Sequence, residues 1–227
     1  MHPSEAIYSF NIGKLVIDIM PEAITQLVIV IILGVLAWYL TKDLKVKPSS
    51  KKQIVVEYVY NFIQGIIDES MGEKYRGFIP YIGTLGIFLL CMNLTGLVAI
   101  PPPTKSFSVT IALAIISFCV IQGYAIKEHG IGGYFKGYAE PMVAMLPINI
   151  IERIMLPVSL SIRLFGNILA ATIVIELVYE ALSSIGWIAQ IGLPVPLHAY
   201  FDIFDGGIQM VVFTMLTMIN IKVVSEH

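Results

Sequence analysis

From Ala23 to Leu40 the chain is apolar apart from Thr25 and Gln26. A run of this kind is close to the ~20 residues that a helix needs to cross the hydrocarbon core of a bilayer. Further apolar runs follow at about 78–100, 107–126, 141–182 and 196–224. Charged residues make up 13% of the 227 and hydrophobic ones 57%, whereas a soluble domain carries roughly a quarter charged residues. The mean hydropathy is +0.83. These features define an integral membrane protein with an all-α fold, organised as one membrane domain over 1–227.

Within that domain, 1–22 reads as an external N-terminal segment. It lacks the basic stretch, apolar core and small-residue cleavage site of a cleaved signal peptide. Residues 23–40 form the first transmembrane helix. A lysine-rich stretch with Lys42, Lys45, Lys47, Lys51 and Lys52 follows. In 53–70, Ile54, Val55, Tyr58, Val59, Phe62, Ile66 and Ile67 recur at helical spacing with Glu57, Asn61, Gln64 and Asp68 between them. That pattern suits a helix lying in the interface. A helix pair occupies 78–126, divided by Pro101, Pro102 and Pro103, which remove three backbone donors. Gly130, Gly132, Gly133 and Gly137 mark the next stretch as a loop. The two runs of 141–224 exceed a perpendicular crossing, so they predict a long tilted hairpin, with the first run strongly tilted or broken near Pro147 or Pro157.

With five crossings, the lysines after the first helix fall on one side with Lys74, Arg76, Lys127, Lys136 and Lys222, leaving Lys14 and Lys105 opposite. The positive-inside rule then places the N-terminus outside and the C-terminus in the cytoplasm. No internal repeat is visible. A net charge of −2 gives no basic excess for nucleic acid. Cys91 and Cys119 sit in apolar runs and read as small buried residues.

Arg163 lies near the centre of the long apolar run 141–182. An arginine at mid-bilayer costs about 2.5–3.5 kcal/mol on insertion scales, so such a residue usually serves a partner or a wet cavity. On a helix, Glu152, Ser159, Asn167 and Ala171 share its side. A stripe of small residues lets another helix approach closely, within this chain or from another. The last run has a stripe of its own, with Asp202, Asp205, Gly206 and Gln209 at helical spacing. Its carboxylates read either as buried proton or cation carriers or as headgroup-zone residues near a helix start. Glu176 and Glu180 form another one-turn pair.

The string SLSIRLFGN, Ser159 to Asn167, resembles the signature of subunit a of bacterial F-type ATP synthases. Other similar segments follow the family order. PINIIERI carries Asn149 and Glu152, the segment from Met92 to Ile115 resembles the family's third and fourth helices, and the segment from Phe201 to Ile221 resembles its last helix, with Gln209 at the usual glutamine. The resemblance covers about 20–225. It implies a stator ion-channel subunit of the bacterial plasma membrane, not catalytic by itself. Its partners would be the c-ring, the peripheral stalk subunit b, the rest of the synthase and the lipid bilayer. It would pass H+ or Na+ through two offset half-channels, with Arg163 between them. Asn167, Gln209, Asp202, Glu176, Asp205, Ser159, Glu152 and Asn149 would line the ion pathway, with no cofactor and no metal.

Two positions depart from the family pattern. Thr172 stands where many relatives carry a glutamate, and Asp202 where others have histidine. The exchange implies that Asp202, or Glu176 one turn beyond Thr172, carries the missing titratable group. Three other classes fit less well. A transporter without a rotary partner predicts repeats. A hydrolase needs a clustered nucleophile, base or metal set, whereas His2, His129, His198 and His227 are scattered. A passive scaffold leaves Arg163 unexplained.

Overall fold

The computed structural model describes residues 8–12, 15–42, 44–45, 50–98, 100–137, 142–183, 192 and 194–226. The expectations placed on His2, Lys14, Lys47, Pro141 and His227 lie outside the described residues. A short antiparallel hairpin comes first, β1 (Tyr8–Ile12) against β2 (Leu15–Ile19), with Tyr8 opposite Ile19 and Ile12 opposite Leu15. The rest of the described structure is helical.

Helix α1 (Pro21–Thr41) begins on a proline, where a missing N–H costs nothing. Only Ile29 along it is buried, so almost its whole surface is left for lipid or a partner. Near its end Lys42 stands over the Trp38 ring at 5.1 Å, and Lys52 reaches the Tyr39 hydroxyl. Aromatic rings with lysines at one helix end suit a headgroup boundary.

Helix α2 (Lys51–Ser70) is capped by Ser50, whose hydroxyl accepts from the Gln53 N–H at 3.3 Å. Ile63, Ile66 and Ile67 pack on the core, while Val55, Tyr58 and Phe62 stay exposed. The helix ends at Gly72 (φ 104°), whose N–H and that of Met71 both donate to Ile67 O. The positive φ there favours glycine. Arg76, in the short 3-10 turn Glu73–Phe78, donates to the Asp68 carboxylate from Nε and Nη2, each at 2.8 Å.

Helix α3 (Ile79–Asn93) runs into a 3-10 turn, Leu94–Val98, before the three prolines. Helix α4 spans Phe107–Gly137. The glycine-rich stretch expected as a loop is therefore mostly helical as far as Gly137, with a kink at Gly130 (φ 70°, ψ 165°). One glycine absorbs the break, and a helix tolerates the others at a cost of about 1 kcal/mol each.

Helix α5 (Leu146–Ser183) is continuous through Pro157, so neither Pro147 nor Pro157 breaks it. At 1.5 Å per residue its 38 residues span ~57 Å, far beyond a ~30 Å hydrocarbon core. The final helix has three parts: α6 (Pro194–His198), a π-helical stretch Ala199–Asp205, and α7 (Gly206–Glu226). Among the described residues, five helical spans are long and apolar enough to cross a membrane.

Two apolar clusters hold these helices together. Ile67, Tyr75, Ile121 and Ile221 join α2, α4 and α7 at one end. Leu89, Ala114, Leu164 and Phe213 join α3, α4, α5 and α7 in the middle. Buried hydroxyls pair across helices, Tyr75 with Ser225 at 2.6 Å and Tyr81 with Ser117 at 2.9 Å, because an unpaired polar group is costly where water is absent.

Candidate functional site

Helix α5 turns Leu160, Leu164 and Ile168 into the bundle, at 3%, 1% and 4% exposed. Arg163, between them in sequence, therefore faces outward. Among the described residues its guanidinium has no hydrogen-bond or ion-pair partner. A free, permanently charged guanidinium in the middle of an apolar helix is expensive unless water or an anionic partner meets it.

Water-sized space does meet it. A cavity of about 970 Å³ opens between the late part of α4, the first half of α5 and the end of α7. Asn149, Glu152, Ser159 and Arg163 line it from α5, His129 and Tyr134 from α4, and Asn220 from α7. Along α5, Asn149 and Arg163 lie ~21 Å apart, so the cavity runs from the helix start to its centre. His129 Nε2 donates to the Ser225 carbonyl at 2.9 Å and ties α4 to the end of α7. Of the α5 stripe read from sequence, Asn149, Glu152, Ser159 and Arg163 share this cavity. Asn167 is half-buried and lines no part of it, and Ala171 turns into the core.

A second polar cluster sits at the opposite end of the bundle. Asp202 is buried in the π-helical stretch, with its carboxylate 3.0 Å from His198 Nδ1 one turn earlier. Gly96, in the turn after α3, lies against it: a Cβ there would come within 2.6 Å of both carboxylate oxygens. The close approach therefore requires glycine. Asn93, also buried, donates to the Gly206 carbonyl at 2.9 Å and accepts from Thr104 at 3.0 Å. That bond fixes the π-helical stretch against α3. A π-helix widens the turn and displaces side chains, and such turns occur often at functional sites.

The remaining sequence-predicted residues separate into distinct surroundings. Gln209 is buried on α7. Asp205 is half-buried and unpaired among the described residues. Glu176 is exposed and bonded to Lys105 at 3.1 Å. Thr172 gives its hydroxyl to the Ile168 carbonyl of its own helix. Sequence reasoning passed over Asn93, Gly96 and His198. Of these only His198 left a local signal, its four-residue spacing from Asp202.

Taken together, fold and site define a multi-pass helical membrane protein built around one outward-facing arginine, with a polar region towards each end of the bundle. Residues 23–222 match the family model described as ATP synthase A chain. The chain is 32% identical to the protein named "ATP synthase subunit a, sodium ion specific" of Propionigenium modestum, with 98% of this chain and 77% of that one covered. It is 34% identical to ATP synthase subunit a of Priestia megaterium (88% and 89% covered) and 31% identical to that of Moorella thermoacetica (92% and 91%). The chain belongs to the ATP synthase subunit a family, a non-catalytic membrane component of the synthase.

Proposed function

We propose that this chain is the stator that conducts ions to and from a rotating c-ring through two offset half-channels, with Arg163 between them. The observation that carries this reading is the position of Arg163. It is charged, unpaired among the described residues and outward-facing, at the deep end of a cavity open to one end of the bundle. An ionised ring carboxylate is the partner that suits it. Guanidinium attracts the carboxylate without giving up a proton, and its fixed charge repels a cation that would pass directly between the routes.

The cavity of Asn149, Glu152 and Ser159 forms the inner route. The lysines and arginines of the first cytoplasmic loops lie at this end; Lys74, for one, pairs with Glu128 late in α4. By the positive-inside rule this end is cytoplasmic, and the N-terminal hairpin is outside. The outer route then runs past Asp202, with Asp205 and Gln209 further along the same helix. Glu176 and its partner Lys105 stand at the outer rim, and Asn167 continues the arginine face of α5. The family partners follow: the c-ring against α5, the peripheral stalk subunit b, and the surrounding bilayer of a bacterial plasma membrane.

Cysteine accessibility tests the two routes. In a background with Cys91 and Cys119 replaced by serine, single cysteines at Ser159 and Asn220 should react with a membrane-impermeant thiol reagent from the cytoplasmic side only. A cysteine at Asp205 should react from the outer side only. Labelling of all three from the same side would contradict the arrangement.

A further inference from the structure

The buried carboxylate of Asp202 has one side-chain hydrogen-bond partner among the described residues, His198. The pair is graded in exposure: 31% of the His198 side chain is accessible against 10% of Asp202. His198 also lies one turn nearer than Asp202 to the Pro194 end of the helix, the end that the proposed function places outside. In a state with the carboxylate ionised and the ring neutral, the carboxylate only accepts, so Nδ1 carries the proton of the 3.0 Å bond. Nε2, on the far side of the ring, then holds a free lone pair and has no partner among the described residues.

We propose that His198 is the proton-relay residue of the outer route, taking a proton at Nε2 from the outer side and passing its Nδ1 proton to Asp202. The step balances: one N–H bond forms at Nε2, one breaks at Nδ1, and one O–H bond forms on Asp202. The ring ends neutral, as the other tautomer; when it swings off Asp202, gain of a proton from water at Nδ1 and loss of the Nε2 proton to water restore the starting state, which the accessible ring allows. Imidazole suits this task because its proton affinity lies near physiological pH.

The surroundings match a relay. From α5 the Tyr179 ring stands 6.0 Å from the imidazole, and Glu176 nearby is occupied by Lys105. The turn Leu94–Val98 contributes no charged side chain, and Asp205 is the next carboxylate along the same helix.

The proposal rests on the outer-route reading of Asp202, so the test separates the two. ATP synthesis driven by an imposed proton gradient is measured in vesicles holding the whole complex, with His198→Ala, His198→Gln and Asp202→Asn compared after assembly is checked by ring pulldown. The relay predicts a loss of roughly hundredfold or more in both His198 variants, a changed pH profile, and recovery of His198→Ala on adding imidazole. A loss with neither imidazole rescue nor a changed profile would mean that His198 only positions Asp202, and would overturn the relay. Normal rates in the His198 variants beside a slow Asp202→Asn would overturn the relay and leave the outer route standing. Normal rates in all three would overturn both.

Discussion

Asn93 donates its side-chain amide to the Gly206 carbonyl at 2.9 Å and so fastens the end of α3 to the start of α7. The same side chain accepts from Thr104, and all of it is buried. Replacing Asn93 with leucine removes both bonds and strands the buried Thr104 hydroxyl, which costs about 1–3 kcal/mol when unpaired, while the Gly206 carbonyl keeps an N–H of its own helix. The expected result is a lower melting temperature of the detergent-solubilised complex. Thr104→Val removes one bond only and should cost less. Equal stability of Asn93→Leu and the parent would show that this junction does not hold the helices.

Gly96 faces the Asp202 carboxylate so closely that an added methyl would have to displace it. Overpacking of this kind costs typically 1–3 kcal/mol. Gly96→Ala should therefore assemble but conduct poorly, because the carboxylate loses its place beside His198. Gly34→Ala, whose new methyl meets open space, is the matched control and should behave as the parent. Proton pumping driven by ATP reads both.

On sequence grounds Asp202 takes the place of the missing titratable group, with Glu176 as the alternative, and the surroundings of the two differ. Asp202 is buried beside an imidazole, whereas Glu176 is exposed in an ion pair, an arrangement worth about 0–1 kcal/mol. Asp202→Asn should slow ion-driven turnover severely, and Glu176→Gln should leave it within about twofold of the parent, since about 0.4 kcal/mol is a factor of two. The reverse ranking would move the outer route to the rim of α5.

The Arg76 guanidinium holds the Asp68 carboxyl below the usual carboxylate range. A carboxylate whose pKa is depressed on folding stabilises the fold above its unfolded value, about 3.9, and that contribution is lost as pH falls through the folded value. The clasp between α2 and the turn before α3 should therefore be intact at neutral pH and open in acid. Protection of the Met71 and Gly72 amides, taken relative to the intrinsic exchange rate at each pH, should fall below about pH 4, and Arg76→Gln should abolish that pH dependence.

Much of this architecture was legible in the sequence because its signals are local. The apolar run from Ala23 to Leu40 marks α1, and the helical spacing of Ile54, Tyr58 and Phe62 marks α2. The polar stripe through Glu152, Ser159 and Arg163 needs only helical periodicity. The misread glycine-rich stretch shows the limit: only Gly130 uses a conformation other residues avoid, and composition does not say which glycine breaks the helix. Pro157 likewise sits inside an unbroken helix. The Asp202–Gly96 and Asn93–Gly206 contacts join residues more than a hundred positions apart, and no local pattern encodes them. The hairpin of β1 and β2 left no signal that was read.

The central claim is that Arg163 works at the surface of α5 against a rotor and does not hold this chain together. ATP-driven ion pumping by Arg163→Ala, in vesicles where ring pulldown shows full assembly, tests it most directly. With no partner for the guanidinium among the described residues, the account predicts unchanged assembly and abolished pumping. Pumping at the parent rate would contradict it, and so would a complex that fails to assemble.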